Sequence, residues 1–108
     1  MKVSELASLE GFSVVVLPDG EREIGGVYIG DLLSWVMGRA KADGAWITIM
    51  SNINIVAVAS LADVACIILA EGVTLDADVV STAQAKGINI LANENPAYET
   101  AKVLFEKL

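Results

Sequence analysis

The sequence predicts an α/β domain with a largely parallel sheet and helices on both faces. Three observations carry that expectation. From Ala45 onward, apolar strand-like runs alternate with helix-like runs: strand, helix, strand, helix, strand, helix. Such alternation implies parallel strands joined by right-handed crossovers. The hydrophobic fraction is 55% while aromatics are only 6%, so the excess is aliphatic, as in sheets buried on both faces. Finally, 108 residues suit one compact domain, expected to span residues 1–108 without linker or repeat.

Each predicted element has a local reason. A short helix is expected over Val3 to Leu9, with Ser4 as N-cap. Phe12 to Leu17 is rich in β-branched residues and reads as a strand. Pro18-Asp19-Gly20 is a turn: Pro presets φ, Asp bonds its own backbone, and Gly tolerates positive φ. A charged loop runs to Glu23, and Val27-Tyr28-Ile29 reads as a short strand or bend. Asp31 to Ala40 is expected to be helical, because Leu32, Leu33, Val36, Met37 and Ala40 share one face. Asp31 is then expected in its first turn, with Arg39 near its end, matching the helix dipole.

Ala45 to Met50 reads as a strand, Ile55 to Ala62 as an apolar helix, and Cys66 to Leu69 as a second strand. Asp76 to Lys86 reads as a helix with Thr74 as its cap and Gly87 at its C′ position. Ile88 to Leu91 reads as a last strand. Pro96 is expected at N1 of the final helix with Asn95 as N-cap. That helix is expected to bury a face of Ala97, Tyr98, Ala101, Leu104, Phe105 and Leu108.

Composition narrows the function. Seven basic residues stand against 14 acidic ones, a net charge of -7, which repels phosphate backbones and argues against nucleic-acid binding. No Lys or Arg occurs between Ala42 and Ala85, so a phosphate held there would need backbone N–H groups or a helix N-terminus. The absence of His removes the commonest general base and transition-metal ligand. The lone Cys66 lies in mid-strand and reads as a small hydrophobe rather than a nucleophile. No secretory signal is recognisable, so a cytoplasmic setting is expected. Gly44 to Ala62 is uncharged and about long enough to span a bilayer, but Ser51, Asn52 and Asn54 fall at its middle, where polar groups are costly. A strand, turn and helix explain them, and no membrane span is expected.

The candidate site is the polar edge where the predicted strands end. Ser51, Asn52 and Asn54 follow one strand, Glu71-Gly72 the next, and Asn93, Glu94 and Asn95 the last. Ligands of open α/β sheets bind at that edge. The glycines Gly25, Gly26 and Gly30 do not form a phosphate loop: Asp31 follows where a Walker loop needs Lys, and the spacing is not that of a dinucleotide fingerprint. Asp19, Glu21 and Glu23 lack the partners of a calcium loop, with Ile24 and Gly30 at its Gly and Glu positions. No catalytic constellation and no cofactor are expected.

Over Ile24 to Gly72, through GGVYIGDLLSWVMGRA and ITIMSNINIVAVASLADVACIILAEG, the chain resembles the DRTGG domain family. Ser51-Asn52 stand where the family's Asp-Arg would be, and Ala70-Glu71-Gly72 where its Thr-Gly-Gly would be; only Gly72 matches. The resemblance implies a regulatory module with no established reaction, found beside CBS pairs and on phosphotransacetylases. It also implies a fold like the N-terminal domain of HPr kinase/phosphorylase, whose kinase activity resides in a separate P-loop domain. Stand-alone versions with this GGVYIGDLLSWVMGRA run are associated with bacterial iron-hydrogenase gene clusters. The expectation is a non-enzymatic regulatory or accessory domain that forms a homodimer and contacts a protein partner. The alternative is a sensor of nucleotides or phosphorylated metabolites at the Ser51–Asn54 turn.

Overall fold

The computed structural model describes residues 1–108. The chain runs α1 (Val3–Ala7), β1 (Ser13–Val16), β2 (Gly26–Ile29), α2 (Leu33–Arg39), β3 (Gly44–Thr48), α3 (Asn54–Ala62), β4 (Cys66–Leu69), α4 (Ala77–Lys86), β5 (Ile90–Ala92) and α5 (Ala97–Lys107). The five strands form one sheet in the order β1-β5-β4-β3-β2. β2, β3, β4 and β5 are mutually parallel, and β1 closes one edge antiparallel to β5. The α/β class and the largely parallel sheet follow the sequence reading.

Because strands β2 to β5 are laid down in order, their right-handed crossovers place α2, α3 and α4 on one face. Trp46, Ile67, Leu69 and Ile90 point to that face and pack with Val36, Ile55, Val56 and Val79. Side chains alternate along a strand, so Ala45, Ile47, Cys66, Ile68 and Leu91 face the other way, onto α1 and α5 through Val3, Leu6 and Leu104. β3 and β4 are buried along their whole length, which is why they read as continuous apolar runs.

Val27 to Ile29, read as a short strand or bend, is part of an edge strand paired with Ala45 to Ile47. Several other local expectations are corrected. Asp31 lies outside α2, whose N-cap is Leu32. Its carboxylate accepts hydrogen bonds from Thr48 Oγ1 at 2.8 Å and from the Ile49 N–H at 3.0 Å. It therefore satisfies the end of β3 instead of a helix terminus. α1 is capped at Lys2, not Ser4: the Lys2 N–H donates to Glu5 Oε1 at 2.7 Å. α4 starts after Asp76, and Thr74 lies outside it. Pro96 occupies the N-cap position of α5 rather than N1, while the Asn95 N–H turns to Asn93 Oδ1. On α5 only Thr100 and Leu104 are fully buried, whereas Tyr98 is 70% and Phe105 81% exposed. The helix meets the sheet on a narrower stripe than its apolar pattern suggests.

The amino ends of the strands are tied by Arg22. Its Nη2 donates to Asp43 Oδ1 at 2.9 Å, Asp63 Oδ1 at 2.8 Å and Asp63 O at 2.6 Å. Asp43 and Asp63 both adopt left-handed conformations, with φ of 66° and 56°. Asp visits that region more readily than most residues, and the guanidinium fixes both turns.

Candidate functional site

All four parallel strands end at the same edge, and the six predicted site residues lie there, five in the loops and Asn54 at the start of α3. Ser51, Asn52, Asn54 and Glu71 are exposed, Gly72 is half-buried and Asn93 is buried. They form two groups. Around α3, Asn52 Oδ1 accepts the Asn54 N–H at 2.9 Å, while Ile55 and Val56 N–H donate to the carbonyls of Asn52 and Ile53. The N–H groups of the first α3 turn thus have partners within the turn, which Asn52 closes from the position before the N-cap residue Ile53.

The second group joins the ends of β4 and β5. Glu71 and Gly72 both take left-handed φ, 59° and 72°. Their N–H groups donate to Asn95 O at 2.8 Å and Asn93 O at 2.9 Å. Asn93 Oδ1 accepts from Thr100 Oγ1 at 3.0 Å and from the Asn95 N–H at 3.1 Å. The positive φ of Gly72 favours glycine there; a Cβ would also meet the Glu94 carboxylate, which is the free end of a flexible side chain and can swing aside. No hydrogen bond joins this group to Ser51–Asn54.

The two groups differ because of where the chain crosses the sheet. The loop after β4 leads to α4 on one face, and the loop after β5 leads to α5 on the other. Diverging loops open a crevice at strand carboxyl ends. A cavity of about 540 Å³ lies here, lined by Gly72, Val73, Thr74, Asn93 and Glu94 with Phe12 to Val15 of the β1 segment. Gly72 and Asn93 line it; Ser51, Asn52, Asn54 and Glu71 do not. Its one charged side chain is Glu94, and no basic residue borders it.

A smaller cavity of about 360 Å³ sits at the opposite, amino ends of β2 and β3. Gly25, Gly26 and Gly44 form part of it, with Arg39 and Lys41 at its wall. The sequence argued against a phosphate loop at Gly25 and Gly26 and assigned no site to Gly44. The Arg39 guanidinium lies 4.0 Å over the Trp35 ring, a cation–π contact at the end of α2. The spacing of Trp35 and Arg39, four residues apart on a helix, is the signal that was available for it.

No buried side-chain nitrogen or oxygen lacks a hydrogen-bond partner, and no three His, Cys, Asp or Glu side chains gather as a metal site. Burial pushes the Cys66 thiol up to about 12, against a small downward pull from Arg22. A thiol protonated at neutral pH is a poor nucleophile. Cys66 is expected to resist a thiol reagent in the native protein at pH 8 and to react fully in denaturant; rapid native labelling would contradict its burial. No helix is long and apolar enough to cross a membrane.

Fold and site together define a small α/β domain with a polar rim where its parallel strands end. Comparison places it further. The model of the DRTGG domain matches residues 6–106, and the chain belongs to the DRTGG domain family. Its fold is similar to a crystal structure of the CBS and DRTGG domains of the regulatory region of Clostridium perfringens pyrophosphatase, complexed with the activator diadenosine tetraphosphate. The TM-score is 0.70 at 12% identity, covering 90% of this chain and 43% of that one. The chain therefore spans less than half of that regulatory region. No curated protein matches it.

Proposed function

We propose that this chain is a regulatory or accessory domain without enzymatic activity, acting in the cytoplasm through self-association and contact with a partner protein. The association of similar stand-alone chains with iron-hydrogenase gene clusters suggests the setting. The observation that carries the reading is a set of large apolar side chains left in water. Ile29, Leu32, Trp35, Met37 and Phe105 are each 47% exposed or more, on a chain whose net charge is -7. Exposed apolar surface of this kind marks interaction sites. Light scattering at micromolar concentration is expected to report a dimer; a monomer across the whole range overturns the reading.

A second reading is supported by the crevice between the β4 and β5 loops. There the domain senses a small molecule, with nucleotides and phosphorylated metabolites first in line, as the activator of the Clostridium perfringens regulatory region suggests. Gly72 and Asn93 line the crevice, and Ser51, Asn52, Asn54 and Glu71 form the neighbouring rim. A ligand at a hundred times its dissociation constant stabilises a fold by about 2.7 kcal/mol, a rise of roughly 4–8 °C per kcal/mol for a 60–100-residue domain. A thermal-shift screen of such metabolites is expected to show a rise of that kind. The shift should shrink in Asn52→Ala and in Asn93→Ala if both groups take part. No stabilising metabolite, or a hit indifferent to both substitutions, removes this site.

A further inference from the structure

Strand β2 is the open edge of the sheet, and its main chain is oriented for a further strand. Main-chain groups alternate in direction along a parallel strand. The Gly30 N–H donates to Ile47 O at 3.2 Å, within the register that pairs Ile29 with Ile47. Tyr28 therefore turns its N–H and C=O towards β3, and Val27 and Ile29 turn theirs outward to the unpaired side.

Natural edges are usually blunted by lysine, proline, a bulge or a covering element. The other edge strand, β1, has a register shift between Val14 and Val16. β2 has none, and Gly26 to Ile29 holds no charge and no proline. Grooves flank it on both faces of the sheet. One is the 360 Å³ cavity beside α2, which shares Gly26, Val27 and Tyr28. The other, about 520 Å³, is bounded by the same three residues with Ile29, Ala101, Phe105 and Leu108 and has no charged lining residue. An added strand, with side chains alternating up and down, has a groove for each set.

We propose that a second copy of this chain occupies this edge, its β2 antiparallel to the first across a twofold axis. The inference rests on the self-association reading above and assigns it a surface. The strand is self-complementary in this arrangement. With the axis at Tyr28, Val27 stands opposite Ile29 of the second copy, and the outward N–H and C=O of each meet those of the other. Ile29, half exposed, and Phe105, 81% exposed, are then covered on the α5 side. The two five-stranded sheets become one continuous sheet. The strand and its α5-side groove hold no acidic side chain, and the only charged residues in the α2-side groove are the basic Arg39 and Lys41, so two chains of net charge -7 meet here without opposing carboxylates.

The test is sedimentation velocity of the full chain over nanomolar to high micromolar concentrations, for wild type, Ile29→Lys and Phe105→Glu. Amide exchange at Val27 and Ile29 is followed alongside. The wild type is expected to dimerise, with exchange at those two amides slowing as dimer forms. Each substitution is expected to raise the dissociation constant about 100-fold, because it places an unpaired charge in an apolar contact. Far-UV circular dichroism checks folding. If Ile29→Lys does not fold, Phe105→Glu and the wild-type amides decide. A dimer with unaltered affinity in the folded variants and fast exchange at Val27 and Ile29 overturns this surface while leaving self-association standing. A wild-type monomer overturns both.

Discussion

Trp46→Ala is expected to cost roughly 3–5 kcal/mol of stability, the range for removing a large buried aromatic side chain. Trp46 lies in β3, near the middle of the sheet, and is fully buried. Its ring packs among the residues that hold α2 and α3 to the sheet. Its Nε1 donates to Gly30 O at 2.8 Å, which fastens the turn after β2 to β3. Alanine removes the packing and leaves the Gly30 carbonyl without that partner. A domain of this size has only about 5–15 kcal/mol in total, so the variant sits near the limit of folding. Trp46→Phe keeps much of the apolar volume and loses the hydrogen bond, and about 1–2 kcal/mol is expected. Urea unfolding followed by far-UV circular dichroism measures both without interference from the fluorescence of Trp35. A Trp46→Ala protein within about 1 kcal/mol of wild type would contradict this account of the core.

Asn89→Ala is expected to cost about 2–4 kcal/mol, from several hydrogen bonds lost at a buried position. Asn89 is 2% exposed. Its Oδ1 accepts the Asp19 N–H at 2.9 Å, and its Nδ2 donates to Asp19 O at 2.7 Å and Ala65 O at 3.0 Å. One amide thus joins the Pro18-Asp19-Gly20 turn to the segments entering β4 and β5. Asn89→Asp is expected to be at least as harmful at neutral pH, because a carboxylate would face the two carbonyls that Nδ2 now satisfies. The same urea titrations measure both variants, and amide exchange at Asp19 should rise in each. Unchanged exchange at Asp19 would show that the turn is held by something else.

Trp46, at the opening of a predicted strand, was open in the sequence to either a subunit interface or burial within the domain, and the structure buries it; nothing in the sequence tied it to Gly30. Asn89 fell inside a predicted strand, where an amide has no obvious role. Hydrogen bonds that span 16 and 70 residues depend on which loops the fold brings together, and local patterns do not encode that. Asp31 shows the same limit. Its expected place in the first turn of a helix suggested a dipole contact, but its carboxylate instead accepts from Thr48 Oγ1 and the Ile49 N–H at the end of β3. The candidate site was legible as a rim, since parallel strands place all their carboxyl ends together. Its division into a self-capped α3 turn and a β4–β5 crevice was not, because that depends on the face to which each following helix returns.

The sequence by itself determined the class of fold, the parallel core of β3 and β4, and the glycine at the end of α4. These follow from periodicity and side-chain chemistry within a few residues, where covalent proximity makes the outcome nearly independent of the rest of the chain. Only the tertiary structure decided that Phe105 and Tyr98 stay in water, that Arg22 binds two left-handed aspartates, and that β2 is left as an unprotected edge. Those outcomes depend on strand order and on how much of each apolar face finds a partner, which are properties of the whole packed chain.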